Sequence, residues 1–281
     1  NIATQFEYPG YIWRTIANTR FTDSRGFRRP ELPDVKSEGK IRIAFLGGAT
    51  THGGFRPYPE RAIALLNDAL GEDRYEALNA ACSSYSTHQS RIALDRWVLP
   101  LKPDAVFLYH GWNDPQVQDD GYGDHEKYRP AAQIDRSWLS SLTHVRNLHM
   151  GMGMAALVDW ADFSWPRPRV SPEKFRENLE YMAQQCELAG VPLWVATRPR
   201  TQRSDSSRPF YASKAIERQY YGDLLATQDG TAIYDTVHRL YTDLQHDITR
   251  QHDNAYTCDL SAFIDQLEQR QLDGQLNSHI K

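Results

Sequence analysis

The sequence predicts one α/β domain built on a parallel sheet, and three observations predict it. Short apolar runs of strand length recur along the chain, at Ile41–Leu46, Tyr75–Asn79, Ala105–His110, Val191–Thr197 and Ala255–Leu260. Segments with helical spacing of apolar residues stand between them, and strands separated by helices pair in parallel through right-handed crossovers. The first and third runs also break into glycine turns, at Gly47-Gly48 and Gly111, on the edge where open α/β sheets bind ligands. A chain of 281 residues, 40% hydrophobic and 24% charged, suits a single unit with a substantial core.

Residues 1–40 precede the first strand and are expected to form an N-terminal extension packed on the core, with 41–281 as the domain itself. Ile41–Leu46 reads as a buried parallel strand, and Gly47-Gly48 permits the tight bend that follows. Pro59–Leu70 carries Ile63, Leu66 and Leu70 on one helical face and stops at Gly71. Tyr75–Asn79 is a strand, Thr87–Leu99 a helix and Ala105–His110 a strand. Residues 115–170, rich in Asp, Gly, Pro and Trp, read as an insertion that is helical only in the 140s to 150s. Ser171-Pro172-Glu173 opens a helix with an N-cap and a proline at the first helical position. Phe175, Leu179, Met182 and Cys186 form its buried stripe, and Gly190 ends it. The strand Val191–Thr197 leads into a polar loop, 198–209, holding Arg198, Arg200, Arg203 and Arg208. A helix around 231–249 and the strand Ala255–Leu260 complete the series.

Composition excludes several classes. The net charge is −4 with no basic stripe, which argues against a nucleic-acid partner. No run of 18 apolar residues exists, so nothing in this sequence is expected to span a membrane as a helix. Cys82, Cys186 and Cys258 are too few and too scattered for a disulfide framework or a zinc site, and are expected to be buried small hydrophobes. His238, His246 and His252 do not have the spacing of a zinc ligand pair, so no metal is implied. The glycine turns lack the contexts that cradle nucleotides, so no cofactor is implied. A start at Asn1, without Met or signal peptide, leads us to expect a processed or trimmed piece.

Three blocks carry the chemistry. Ile41 to Gly53 places Ala49 at the tip of a strand-to-helix turn. Asn79-Ala-Ala-Cys-Ser-Ser-Tyr-Ser-Thr87 follows the second strand, and Pro103 to Asp114 is a strand ending in Gly111-Trp112-Asn113-Asp114. In order and spacing they resemble the blocks of the GDSL/SGNH hydrolases, in the branch that carries Gly-Gly-Ser-Thr-Thr. The segment from Asn18 to Gly26-Phe27-Arg28 is similar to that branch as well, and the resemblance runs from about residue 18 to the C-terminus. It implies a three-layer flavodoxin-like fold with the nucleophile at position 49. It further implies oxyanion donors from the backbone N–H of Ala49, the backbone N–H of Ser84 and the side-chain amide of Asn113. Gly48, Thr50, His52, Gly111 and Trp112 would line the substrate site, His52 and His110 being either substrate contacts or satisfied polar neighbours. Ser84 stands where the family usually has glycine.

The base implied by the resemblance is His279, oriented by Asp273, although the residue three before His279 is Leu276 rather than an acid. Asp273 reaching from an irregular loop, a dyad whose imidazole is oriented by a backbone carbonyl, and a spacing altered by residues absent from the sequence all fit that arrangement. The activity implied is that of a serine esterase or O-deacylase acting on a small or carbohydrate-borne ester through an acyl-enzyme. The methyl group of Ala49 cannot be its nucleophile. Either a Ser→Ala replacement has inactivated the chain or it is a natural non-catalytic relative, and retention of the other blocks favours the first. An acyltransferase on the same scaffold and a non-catalytic ligand-binding protein are the alternatives. Trp112, Trp138, Trp160, Trp165 and Tyr122 suit stacking on a sugar or acyl chain, and equally packing of the insertion onto the sheet. The arginines of 198–208 would meet an anionic substrate or lie solvated. The branch implies an extracytoplasmic location.

Overall fold

The structure, a computed structural model, describes residues 4–7, 12–55, 57–118, 123–125, 167–199, 215–264 and 266. An antiparallel pair, β1 (Thr4–Glu7) and β2 (Ile12–Thr15), precedes the main sheet. The sheet consists of β3 (Ile41–Gly47), β4 (Tyr75–Asn79), β5 (Ala105–Tyr109), β8 (Leu193–Ala196) and β9 (Ala255–Cys258). Its order is β4-β3-β5-β8-β9 with every pairing parallel. This is the flavodoxin-type doubly wound order, in which the chain reverses direction across the sheet between β3 and β5. The α/β architecture expected from the sequence is therefore present.

Register explains why the strands read as continuous apolar runs. Ala44, Leu46, Val106, Leu108, Leu193 and Val195 share one face and are fully buried. Helix α4 (Pro172–Leu188) packs against both α3 (Thr87–Ala93) and α6 (Gly230–Gln251), and the buried stripes of the three join these strand residues in one core. Phe175 of α4 meets Tyr241 of α6 edge to face at 4.9 Å. On the opposite face, Phe45, Phe107, Trp194 and Tyr256 form a row across four strands beside α2 (Tyr58–Leu70). At the N-terminal end of β3, Arg42 is fully buried, donating to Glu76 Oε1 at 2.7 Å and to the carbonyls of Leu101 and Pro33 at 2.8 Å each.

Several boundaries differ from expectation. The α-helix from Thr87 ends at Ala93, widens into a π turn over Leu94–Val98 and tightens into a 3₁₀ turn over Leu99–Leu101. The wide turn directs both Leu94 and Val98 into the core. His110, Thr197 and Leu260 lie beyond their strands, while α6 is longer than expected. Leu70 is exposed on the last turn of α2, and Cys258 is only half-buried on the edge strand β9. Ser171 caps α4, accepting from Lys174 N–H, and Gly190 takes φ +68° just after it. The ends of the insertion are clasped by β6 (Val117–Gln118) and β7 (Arg167–Pro168), while residues 126–166 lie outside the described residues. One further helix, α5 (Ala215–Leu225), precedes α6. Among the described residues, no helix is long and apolar enough to cross a membrane.

Candidate functional site

The C-terminal ends of β3 and β5 lie side by side at the reversal point, with Gly47 opposite Tyr109. Close approach dictates the glycines there. A Cβ on Gly47 would stand 2.2 Å from Thr51 Oγ1 and 2.8 Å from Tyr109 O. A Cβ on Gly48 would stand 2.6 Å from Asn113 Nδ2 and 3.2 Å from Tyr85 O. Gly48 itself has φ −88°, so its reason is steric rather than torsional. Ala49 then opens the single turn α1 (Ala49–His52), exposed like Thr50, while Thr51 and His52 turn inward. A first-turn N–H such as that of Ala49 has no partner within its own helix.

The second block returns to the same place. Cys82 N–H donates to Gly47 O at 3.2 Å, tying the loop after β4 to the end of β3. Ser84, two residues on, is exposed and holds φ +65°, a left-handed conformation that favours glycine. Among the described residues its N–H donates no hydrogen bond. Asn113 closes the arrangement: Nδ2 donates to Tyr85 O at 2.8 Å and Oδ1 accepts from Gln116 Nε2 at 3.3 Å. One of the two amide hydrogens is thus committed to the protein.

The third block is held by its neighbours. Asp114, fully buried, accepts from Thr87 N–H at 2.8 Å, Thr87 Oγ1 at 2.7 Å and Gly111 N–H at 3.3 Å. This fixes Gly111 at φ +104°. Arg198 donates to Gly111 O at 2.9 Å and lies against the rings of Trp112 and Tyr234. At 2% exposure it is a buried prop of the third block and not part of a solvated loop. Arg200, Arg203 and Arg208 lie outside the described residues, as do Tyr122, Trp138, Trp160 and Trp165.

His52 and His110 are both buried beside polar partners. His52, 2% exposed, shares a 3.4 Å contact with Thr15 Oγ1 of the N-terminal strand β2. Burial, aided by the nearby Arg28 guanidinium, pushes its pKa down to about 4. His110 shares a 2.7 Å hydrogen bond with Ser90 Oγ, and burial pushes it too down to about 4 despite Asp114. Both imidazoles are neutral near pH 7. His238 donates Nε2–H to Arg198 O at 2.7 Å. His279 and Asp273 lie outside the described residues. Gly48, Ala49, Ser84 and Asn113 therefore come together, with Gly111 and Trp112 beside Arg198.

The residues missed in the sequence are Asp124 and Arg169, at the two ends of the insertion. Arg169 bonds to Asp124 and to the Ser84 carbonyl. Their separation in sequence gave no signal, although opposite charges at the two mouths of an insertion are natural partners.

No family model matches this chain. The uncharacterized lipoprotein YqeF of Bacillus subtilis (strain 168) is 20% identical over 224 residues, spanning 78% of this chain and 70% of that protein. Among solved structures, LAE5, an alpha/beta hydrolase enzyme from the Lake Arreo metagenome, is 15% identical with a TM-score of 0.46 over 85% of each chain. A variant of Axe2, an acetyl xylan esterase from Geobacillus stearothermophilus, is 13% identical, TM-score 0.44, over 84% of this chain and 83% of that one. A lipase/acylhydrolase from Enterococcus faecalis is 16% identical, TM-score 0.41, over 80% and 79%. The fold assignment rests on the chain's own strand order.

Proposed function

We propose that this chain is the scaffold of a serine esterase or O-deacylase of the GDSL/SGNH type, acting on a small or carbohydrate-borne ester through an acyl-enzyme, with alanine in place of its nucleophile. The observation that carries the reading is the space at Gly48, where a Cβ would run into the Asn113 amide, beside the left-handed Ser84, at the reversal point of the sheet. A hydroxyl on residue 49 would attack the acyl carbon, and His279, oriented by Asp273, would take its proton. The N–H groups of Ala49 and Ser84 and the remaining Asn113 amide hydrogen would stabilise the oxyanion, each on the order of 10²-fold in rate. A second reading, a non-catalytic ligand-binding protein, is favoured by the methyl group itself. The relative named as a lipoprotein supports an extracytoplasmic location.

The test is Ala49→Ser, assayed on short-chain p-nitrophenyl esters and with a fluorophosphonate. Turnover and labelling at the new serine, both abolished by His279→Ala, are expected. A folded Ala49→Ser protein that shows neither, on broader acyl donors and acceptors as well, would leave the binding protein as the better reading.

A further inference from the structure

Three successive carbonyls in the second block are each held by a side chain from a different part of the molecule. Ser83 O accepts from Trp13 Nε1 at 3.0 Å, Ser84 O from Arg169 Nη2 at 2.7 Å, and Tyr85 O from Asn113 Nδ2 at 2.8 Å. The middle residue is the one forced to φ +65° without being glycine. In a trans peptide the C=O and the following N–H point in opposite directions. Holding Ser83 O inward on Trp13 therefore turns the Ser84 N–H the other way, and holding Ser84 O on Arg169 fixes the next peptide plane.

Each holder is itself anchored. Trp13 belongs to β2, packs edge to face on Tyr85 at 5.4 Å, and accepts the Tyr85 hydroxyl at its own carbonyl. Arg169, 5% exposed, also donates Nη2 to Asp124 Oδ2 at 2.8 Å. Asp124 is fully buried and takes Ser86 Oγ at 2.8 Å and Gln89 Nε2 at 3.2 Å. The backbone locks the pair: Asp124 N–H donates to Arg169 O at 2.6 Å, and Arg169 N–H to Gln116 O at 2.8 Å.

We infer that Trp13 and Arg169 are positioning residues, a two-sided clamp on the peptide planes around Ser84 that aims the Ser84 N–H into the cleft. What that N–H does there rests on the acyl-transfer reading; the clamp itself does not. It gives the segment before the main sheet a task, and it accounts for a serine holding a backbone conformation that glycine adopts more readily.

The test has two arms. In the first, the Ser84 amide of the 15N-labelled chain is followed by NMR in Trp13→Phe, which keeps the ring but lacks the indole N–H, and in Arg169→Lys, which keeps the charge facing Asp124. The Ser84 resonance and its HN–Hα coupling are expected to move away from left-handed values in each, while Ala44 and Leu108 in the sheet stay put. An unmoved Ser84 in the folded variants would overturn the clamp. If Arg169→Lys does not fold, Trp13→Phe decides alone. The second arm adds both changes to Ala49→Ser, where kcat is expected to fall about tenfold per change with KM within about twofold. Unchanged kcat with a displaced Ser84 would overturn the positioning role. If Ser84 moves but no Ala49→Ser protein turns over or labels, the clamp stands and the acyl-transfer reading falls.

Discussion

A methyl group on residue 48 would stand 2.6 Å from the Asn113 amide nitrogen, well inside contact distance. Gly48→Ala is therefore expected to displace either the Asn113 side chain or the turn, at a cost of about 1–3 kcal/mol in stability. Urea denaturation measures the loss, and in the Ala49→Ser protein the same change should cut turnover by about tenfold or more. Gly26 is a second such position: at φ +80°, its Cβ would stand 2.3 Å from Thr15 O. This glycine keeps the Asn18–Arg28 loop tight against β2, where Thr15 meets His52. Ser171→Ala removes the N-cap of α4 and should cost about 1 kcal/mol, read as a shift in Tm.

Arg42 shows how elements are tied at the end of the sheet away from the site. It reaches Glu76 of β4, the carbonyl of Leu101 before β5 and that of Pro33 before β3. Replacing it by Met leaves Glu76 and two carbonyls without a buried partner, and the expected loss is about 3–5 kcal/mol. Lys36→Ala, which breaks an exposed pair with Asp104, is the contrast and should cost less than about 1 kcal/mol. Chemical denaturation of both variants checks the difference. The five strands and the α4 stripe were legible in the sequence because their signals are local: period, caps and glycine stops. The π turn at Leu94–Val98 was not, since its residues carry the same local signals as the regular helix it continues. In the site, Gly48 and Asn113 were marked by their blocks. Arg169, Asp124 and the burial of Arg198 and His52 were not, because contacts as distant in sequence as those of Arg169 with Asp124 and Ser84 leave no periodic trace.

At the scale of the molecule, buried histidines set the response to acid. Burial pushes His52, His88 and His110 each down to about 4. The unfolded chain takes up these protons from its ordinary value of 6.5 downward, while the folded chain resists until about 4. Their stabilising effect is therefore complete above that ordinary value and is lost progressively as pH falls towards 4, by about 3 kcal/mol per residue. Glu60, which burial pushes upward, works in the opposite sense over the lower part of the range. Urea midpoints should fall steadily between about pH 7 and 5, a slope that His110→Gln reduces. A flat profile would mean that the three imidazoles are hydrated. Ala49, by contrast, is exposed, so the oxygen of a serine there would extend into solvent and crowd no packed atom. Alanine and serine codons differ by a single base. On the esterase reading proposed above, a lineage with alanine at this position would stand one nucleotide from a reactive descendant, and selection for holding a ligand or for cleaving it would move the sequence in either direction without remaking the fold.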